Sequence, residues 1–180
     1  MAELIAGGPL EGRAAVEAAG ATLEAMALGP VAAILPFPGR VAAVDAALRA
    51  RGLGFPEPGR SLELADTRVL WSGREAALLI GTAAPELAEA AVIDQSDGWA
   101  AMALSGPGAE AVLARLVPLD LRRAAFAEGA VARTLLGHVQ VLILRRAGGF
   151  ELMVMASLAR SAWHEIEKAM RLVAGRPAAG

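Results

Sequence analysis

The sequence has no cysteine, no tyrosine and only one lysine among its 17 basic residues. Without cysteine, the chain cannot form a disulfide, a thiol nucleophile or a zinc–thiolate site. The single lysine, Lys168, follows no glycine-rich loop, which excludes a P-loop for nucleotide phosphates. The arginines are scattered and the net charge is -2, so we expect neither a nucleic acid nor an anionic membrane as a partner.

Long apolar runs are also missing from the sequence. The longest uncharged apolar stretch, residues 25–39, is interrupted by Pro30, Pro36 and Pro38, whereas a membrane span needs about 20 apolar residues. The first residues, Met-Ala-Glu-Leu, lack the basic region of a secretory signal. We therefore expect a cytoplasmic protein without a membrane association.

Aromatic residues make up only 4% of the chain, although 56% of its residues are hydrophobic and alanine is abundant. Two interpretations of this composition stay open. It reflects either a genomic bias, also visible in the preference for arginine over lysine, or apolar surface buried against other subunits. At 180 residues, the chain is long enough for one substantial core or for two small lobes sharing one, and it is too apolar to be disordered throughout.

The first half of the chain predicts an α+β lobe over residues 30–90. Residues 1–29 are rich in alanine and glycine and have weak periodicity. They indicate an N-terminal arm, formed as a short helix near residues 13–27 or ordered only on a partner. The lobe is expected to contain a strand at 31–35, a helix at 39–52 and two or three short strands between 61 and 81.

The second half predicts another lobe over residues 91–174, with a flexible tail at 175–180. Strands at 91–96 and 98–106 are expected to pair about a turn at Asp97-Gly98. The other expected elements are a helix at 107–116 capped by Ser105, strands at 130–137, 139–146 and 149–157, and a final helix capped by Ser157. The two lobes predict an α+β fold of ferredoxin-like β-α-β units, with mostly antiparallel sheets and helices packed on them.

A glycine-rich turn opens the helix in the stretch SGPGAEAVLARL, residues 105–116. Its G-x-G-x-x-A spacing is one form of the dinucleotide-binding fingerprint, which also needs a second parallel strand ending in an acidic residue. Glu128 has about the expected spacing, but it precedes a strand instead of ending one. Pro107 also removes a backbone N–H where a pyrophosphate would need donors. We therefore interpret the turn as a strand-to-helix corner.

The two histidines, His138 and His164, are predicted in a turn and on the last helix. Either could act as a base, but no second histidine stands at metal-ligand spacing, and both positions are typical of surface histidines. Trp71, Trp99 and Trp163 are expected to be core or interface anchors.

Two aspartates, Asp94 and Asp97, lie close together in DQSDGW. A carboxylate pair can do acid–base work. Aspartate before glycine more commonly shapes a turn, which we favour here. We therefore assign no catalytic, cofactor-binding or metal-binding residue from the sequence.

The segment at residues 94–121 resembles the aminomethyltransferase family, which includes the glycine-cleavage T-protein. The matching positions are Asp94, Ser96, Gly106, Pro107, Leu113, Leu116 and Asp120. Gly108 stands where that family usually has aspartate. Together with ARTLLGHVQVLILR and GFELMVMASLARSAWHEIEKAM, the segment is more similar to the gamma-subunit family of heterotetrameric sarcosine oxidases.

This resemblance implies a T-protein-like fold and a non-catalytic role in sarcosine catabolism and one-carbon metabolism. The implied complex oxidises sarcosine to glycine, passes the one-carbon unit to tetrahydrofolate and reduces oxygen to peroxide. Its implied partners for this chain are the alpha, beta and delta subunits of a heterotetramer. The resemblance places FAD, FMN and NAD on the alpha and beta subunits, zinc on delta and tetrahydrofolate on alpha, with no cofactor on this chain.

Three hypotheses follow for the function. The leading one is a non-catalytic subunit of a tetrahydrofolate-dependent sarcosine oxidase. The second is a stand-alone folate-binding or one-carbon-transfer protein, for which Asp94 and Asp97 are the candidates to hold the pterin ring. The third is a small oxidoreductase that uses the turn at residues 106–111.

Overall fold

The structure, a computed structural model, describes residues 8–175. Within them the chain forms three helices, α1 (Val41–Arg49), α2 (Ala109–Leu113) and α3 (Ala159–Ala174). The strands are β1 (Val16–Ala18), β2 (Ala21–Met26), β3 (Val31–Pro36), β4 (Ser61–Leu64), β5 (Thr67–Gly73), β6 (Ala76–Ile80), β7 (Ala90–Asp94), β8 (Trp99–Ser105), β9 (Val131–Leu136), β10 (Val139–Arg146) and β11 (Gly149–Met155).

The strands form two sheets in which every neighbouring pair is antiparallel. The six-stranded sheet has the order β1-β2-β8-β11-β10-β9, and the five-stranded sheet has the order β4-β5-β6-β3-β7. This arrangement confirms the predicted α+β class with antiparallel sheets.

The two sheets face each other and form the middle of four layers. The side chains of strand β10 alternate between the two faces of its sheet. Val141 and Ile143 face the helices, while Leu142 and Leu144 face the other sheet. The sheet-to-sheet interface is formed by Val31, Ala33, Leu70, Leu78 and Ile80 against Ala101, Val131, Leu142, Leu144 and Met153. Strand β10 is therefore covered on both faces, in keeping with its nearly continuous apolar run.

Helices cover the outer faces of both sheets. Helix α3 buries Ala162, Trp163, Ile166 and Met170 against the six-stranded sheet, and Trp163 is only 1% exposed. Helix α1 buries Val44 and Leu48 against the five-stranded sheet. Each large side chain buried in this way contributes roughly 1.5–3 kcal/mol to stability. Among the helices of residues 8–175, none has the length and apolar character to span a membrane.

The helix expected near residues 13–27 is wrong, since β1 and β2 form a hairpin there. Ala19 and Gly20 both have positive φ, at 56° and 67°. Two consecutive positive φ values give the type I′ turn whose twist suits a hairpin. The hairpin buries Leu23 completely and pairs with β8, so this part of the expected arm belongs to the six-stranded sheet.

The expected pairing of β7 with β8 is also wrong. Strand β7 pairs with β3, whereas β8 lies between β2 and β11 in the other sheet. A short 3-10 turn at Ser96–Gly98 carries the chain from one sheet to the other. The expected lobe boundary at residue 90 coincides with the first residue of β7, which completes the five-stranded sheet. The division of the chain into two lobes stays a prediction.

Neither serine predicted as a helix cap has that role. Ser105 is the last residue of β8, and Gly108 is the residue before α2. Ser157 lies in a 3-10 turn, and Leu158 directly precedes α3. Neither α2 nor α3 has a side-chain hydrogen bond at its first turn, because the residues that precede them, Gly108 and Leu158, have no side chain able to accept one. Of the expected tail at 175–180, residues 176–180 lie outside the described residues.

Candidate functional site

A cavity among the described residues opens between the two sheets, where the chain crosses from β7 to β8. Its volume is about 710 Å³, within the size range of small-molecule sites. Its polar lining comes from Ser72, Arg74, Asp94, Gln95, Ser96, Asp97, Arg133 and Gln140, and its apolar lining includes Ala33, Leu35, Leu78, Trp99, Leu142 and Met155. The structure therefore brings both sequence-predicted aspartates to one cavity.

Asp94 is tied to the backbone turn that follows β7. Its Oδ1 atom accepts hydrogen bonds from the backbone N–H of Ser96 at 2.9 Å and from the Ser96 hydroxyl at 2.6 Å. The Ser96 hydroxyl oxygen accepts a further bond from the N–H of Val31 at 3.1 Å. The aspartate thus closes a short turn that fixes the end of β7 against β3, in agreement with the turn-shaping role favoured from the sequence.

These hydrogen bonds also weaken Asp94 as a base. The Ser96 hydroxyl and then the Ser96 backbone N–H stabilise the ionised carboxylate, and together they lower the pKa of Asp94 from its ordinary value. An efficient general base needs a pKa near the working pH. Asp94 is therefore better suited to accept hydrogen bonds than to remove a proton.

The other polar side chains of the cavity are held by neighbours in the wall. The Trp99 indole N–H donates to the Gln95 side-chain oxygen at 3.0 Å. Arg133 donates to the Gln140 side-chain oxygen at 3.2 Å and to the Ser72 carbonyl at 3.3 Å. Asp97 is exposed at the rim. The arrangement offers a ligand both hydrogen-bond donors and acceptors.

Of the remaining candidates from the sequence, only Trp99 lines this cavity. His138 is exposed in the turn between β9 and β10, and His164 is exposed on α3. Trp163 is a core residue, as expected, and Trp71 packs half-buried against the interface between the sheets. Within residues 8–175, no group of three or more histidine, aspartate or glutamate side chains is arranged to hold a metal ion.

The glycine-rich turn before α2 is a corner closed by the β1–β2 hairpin. The N–H of Gly106 donates to the Gly148 carbonyl and the N–H of Gly108 donates to the Gly20 carbonyl, both at 3.0 Å. These donors are therefore already used and cannot cradle a pyrophosphate. The strand that follows, β9, also pairs antiparallel with β10, which excludes the parallel unit of a dinucleotide fold.

Comparisons with known proteins now identify the family. The model of the GCVT N-terminal domain family matches residues 66–179, which is more than half of the chain. The chain belongs to this family. A search of the curated proteins finds no significant match.

The GCVT-family chain is also similar to a solved structure, the heterotetrameric sarcosine oxidase from Corynebacterium sp. U-96 in complex with pyrrole 2-carboxylate. The similarity has a TM-score of 0.78 at 25% sequence identity, and it covers 91% of this chain and 90% of that one. The resemblance to the aminomethyltransferase family and to heterotetrameric sarcosine oxidase, noted from residues 94–121 and the later segments, is thereby confirmed.

One buried group of this GCVT-family chain was missed by sequence reasoning. Glu151 on β11 is only 1% exposed, and its carboxylate pairs with Arg68 of the opposite sheet. Arg146 approaches the same carboxylate at 4.0 Å and pairs with Glu63. The sequence signal that could have revealed this group is the single charged residue in the otherwise apolar run GFELMVM. A charge in a buried strand requires a partner, which predicts an ion pair. This network joins the two sheets and does not line the cavity.

Proposed function

We propose that the chain is the gamma subunit of a heterotetrameric sarcosine oxidase and that its role is structural. The observation that carries the proposal is the match to a chain of such an enzyme over about nine-tenths of both chains. A similarity of this extent argues that the two chains occupy equivalent places in equivalent complexes. The proposed partners are the alpha, beta and delta subunits, and the proposal keeps the cytoplasmic location expected from the sequence.

The chemistry of the cavity supports a non-catalytic role. Asp94 is the candidate base, and its carboxylate is engaged by Ser96, which lowers its pKa. A complex that oxidises sarcosine would then use residues and cofactors of other subunits. The proposed contribution of this chain is to stabilise the assembly and to bury apolar surface against it.

The test is an affinity purification with the tag on a larger subunit of the complex. All four subunits are coexpressed, and we expect this chain to elute with the others. A soluble chain that never elutes with the tagged subunit would contradict the proposal. In the purified complex, we expect Asp94→Asn to change the rate of sarcosine oxidation by less than about twofold, whereas loss of a catalytic base typically costs about 100-fold or more.

A second candidate function, folate binding or one-carbon transfer by the chain alone, has one observation in its favour. Asp94 and Asp97 both line the same cavity of about 710 Å³, which is large enough for a folate-sized ligand. Calorimetry of the isolated chain with tetrahydrofolate tests this candidate. Heat of binding at sub-millimolar ligand that disappears in Asp94→Asn would support it, and the absence of heat would exclude it.

A further inference from the structure

Among residues 8–175, strand β7 forms one edge of the five-stranded sheet and pairs only with β3. At its two ends, the N–H of Gln95 donates to the Val31 carbonyl at 2.8 Å, and the N–H of Phe37 donates to the Glu89 carbonyl at 2.9 Å. In an antiparallel ladder, the residues that bond to a given neighbour alternate along the strand. The odd-numbered residues from 89 to 95 therefore bond to β3.

The alternate residues Val92 and Asp94 direct their backbone N–H and C=O groups away from β3. Among residues 8–175, neither forms a backbone hydrogen bond outside the sheet. A row of such groups is a template on which another strand can pair. The backbone of β7 therefore offers donors and acceptors for one more strand.

The other three sheet edges carry a charged side chain inside the strand, whereas the charged residue of β7, Asp94, is its last residue. These charged residues are Glu17 in β1, Glu63 in β4 and Arg133 in β9. In β7, the run Ala-Ala-Val-Ile precedes Asp94 at the very end. Charges on edge strands are a common protection against pairing with another chain. The edge whose charged residue stands only at its end is thus the one that suits a partner strand.

Apolar side chains beside this edge offer contacts for the side chains of an added strand. Ile93 is 46% exposed and Leu35 on the adjacent β3 is 37% exposed. Ile93 lies opposite Ala33, two residues from Leu35, so both side chains point to the same face of the sheet. Exposed apolar residues that cluster in this way are typical of interaction surfaces.

The charges around β7 favour a different chain over a second copy of this one. Asp94 and Asp97 follow the apolar run and Glu86 precedes it, and none of the three takes part in an ion pair among the described residues. Antiparallel pairing of two β7 strands about Val92 would bring the aspartates of each copy towards Glu86 of the other, whereas the neighbouring Glu89 is already paired with Arg40 at 3.2 Å. Like charges at such close approach oppose self-pairing.

We infer that the free edge of β7 docks an extended strand from another subunit of the complex, apolar in its middle and basic near the end that meets Asp94 and Asp97. The docked strand continues the five-stranded sheet by bonding to Val92 and Asp94, and its apolar side chains contact Leu35 and Ile93. This inference rests on the function proposed above, because another subunit must supply the strand.

Amide hydrogen exchange of the full chain, alone and in the purified complex, tests the inference. We expect the Val92 amide to exchange rapidly in the isolated chain and at least about tenfold more slowly in the complex, since a bonded amide exchanges only when the docked strand opens. Equal exchange in an intact complex would overturn the inference and leave the proposed function standing. If no complex forms, both fail.

Two further exchange outcomes would also overturn the inference. Slow exchange of Val92 in the isolated monomer would mean that another segment of the same chain covers the edge. A concentration-dependent dimer of the isolated chain that protects Val92 would mean that the occupant is a second copy. Light scattering of the isolated chain at several concentrations separates these two cases.

A matched pair of variants then tests the side-chain contacts. Ile93→Lys places an edge lysine on β7, and Leu135→Lys places the same charge on β9, where the leucine is 45% exposed. Because both side chains are exposed, both variants are expected to keep the fold. We expect Ile93→Lys to weaken association with the complex about tenfold and Leu135→Lys to leave it unchanged. Equal effects of the two variants would overturn the inference.

Discussion

At the scale of single residues, the corner before α2 depends on the absence of side chains at two glycines. Gly106 has a φ of +100°, and a Cβ atom added there would lie 2.5 Å from the Gly20 carbonyl oxygen. A Cβ atom on Gly108 would lie 1.8 Å from the Ala19 carbonyl oxygen. The corner and the β1–β2 hairpin therefore fit together only because both positions are glycine.

The first prediction is that Gly106→Ala destabilises the fold by about 2 kcal/mol or more, since it adds backbone strain and a steric clash. Gly148→Ala is the matched control, because an added Cβ has no atom within 4 Å there and the cost should stay below about 0.5 kcal/mol. Urea unfolding measures both values. Equal stability of the two variants would show that the corner is not tightly packed.

The second prediction concerns Asp120, whose carboxylate accepts a hydrogen bond from the Arg122 guanidinium at 2.8 Å. That bond, with the Arg122 backbone N–H, lowers the pKa of Asp120 to about 2. A lowered pKa in the folded state stabilises the fold above the ordinary value near 4, and this contribution is lost as the pH falls towards about 2.

The Asp120→Asn variant should accordingly have a lower Tm than the wild type at pH 6. The difference should shrink below pH 4 and disappear near the pKa of about 2. Thermal unfolding across this pH range measures it. A Tm difference that stays constant from pH 6 to pH 2 would contradict the assignment of the carboxylate bond.

At the scale of elements, the two sheets are held together by an apolar interface and by one buried ion pair. Glu151 is buried on β11, and its side chain faces Arg68 on β5. One carboxylate oxygen, Oε1, has no hydrogen-bond partner among the described residues. The carboxylate therefore depends on its arginine partner, because an unpaired charge in the interior is costly.

The third prediction is that Arg68→Met destabilises the fold by about 3 kcal/mol or more, since it leaves Glu151 buried without its main partner. The double variant Arg68→Met/Glu151→Leu should recover most of this loss because no charge stays buried. Arg171→Met, which breaks the exposed pair with Glu167, is the control and should cost less than about 0.5 kcal/mol. A double variant as unstable as the single one would contradict this account.

The sequence predicted which helices and strands form more accurately than it predicted which strands pair with each other. Strand β10 and helix α3 were both predicted, because an apolar run and an apolar stripe at helical spacing can be recognised from neighbouring residues alone. The pairing of β7 and β8 was predicted wrongly, because alternation shows that a strand exists but not which sheet it joins. The β1–β2 hairpin was missed because alanine at alternate positions gives a weak signal, although Gly20 between two alternating runs was available as a turn signal.

The candidate site was predictable only in part. Asp94 and Asp97 were found as a local pair in the sequence, and the structure places both at the cavity. Arg133 and Gln140 come from strands far along the chain, so no local pattern relates them to the aspartates. The pairing of Glu151 with Arg68 spans 83 residues and depends on how the two sheets stack, which sequence periodicity does not specify.

At the scale of the whole molecule, the exposed apolar surface bears on whether other subunits cover this chain. Several large apolar side chains are exposed, among them Leu35, Ile93 and Met155 around the cavity and the β7 edge. The composition left open whether the apolar excess reflects genomic bias or subunit contacts. Leu35 and Met155 line the same cavity, and Ile93 lies on the same face as Leu35. This grouping favours the second interpretation, since a genomic bias would not place these side chains together.

We propose that this GCVT-family chain is a stoichiometric, non-catalytic subunit of a sarcosine oxidase. Native mass spectrometry of the complex, purified through a tag on a larger subunit, tests it most directly. We predict one copy of this chain per complex, with sarcosine oxidation retained when Asp94 is replaced by asparagine. A fully active complex that assembles with the same mass when this chain is omitted would contradict the claim.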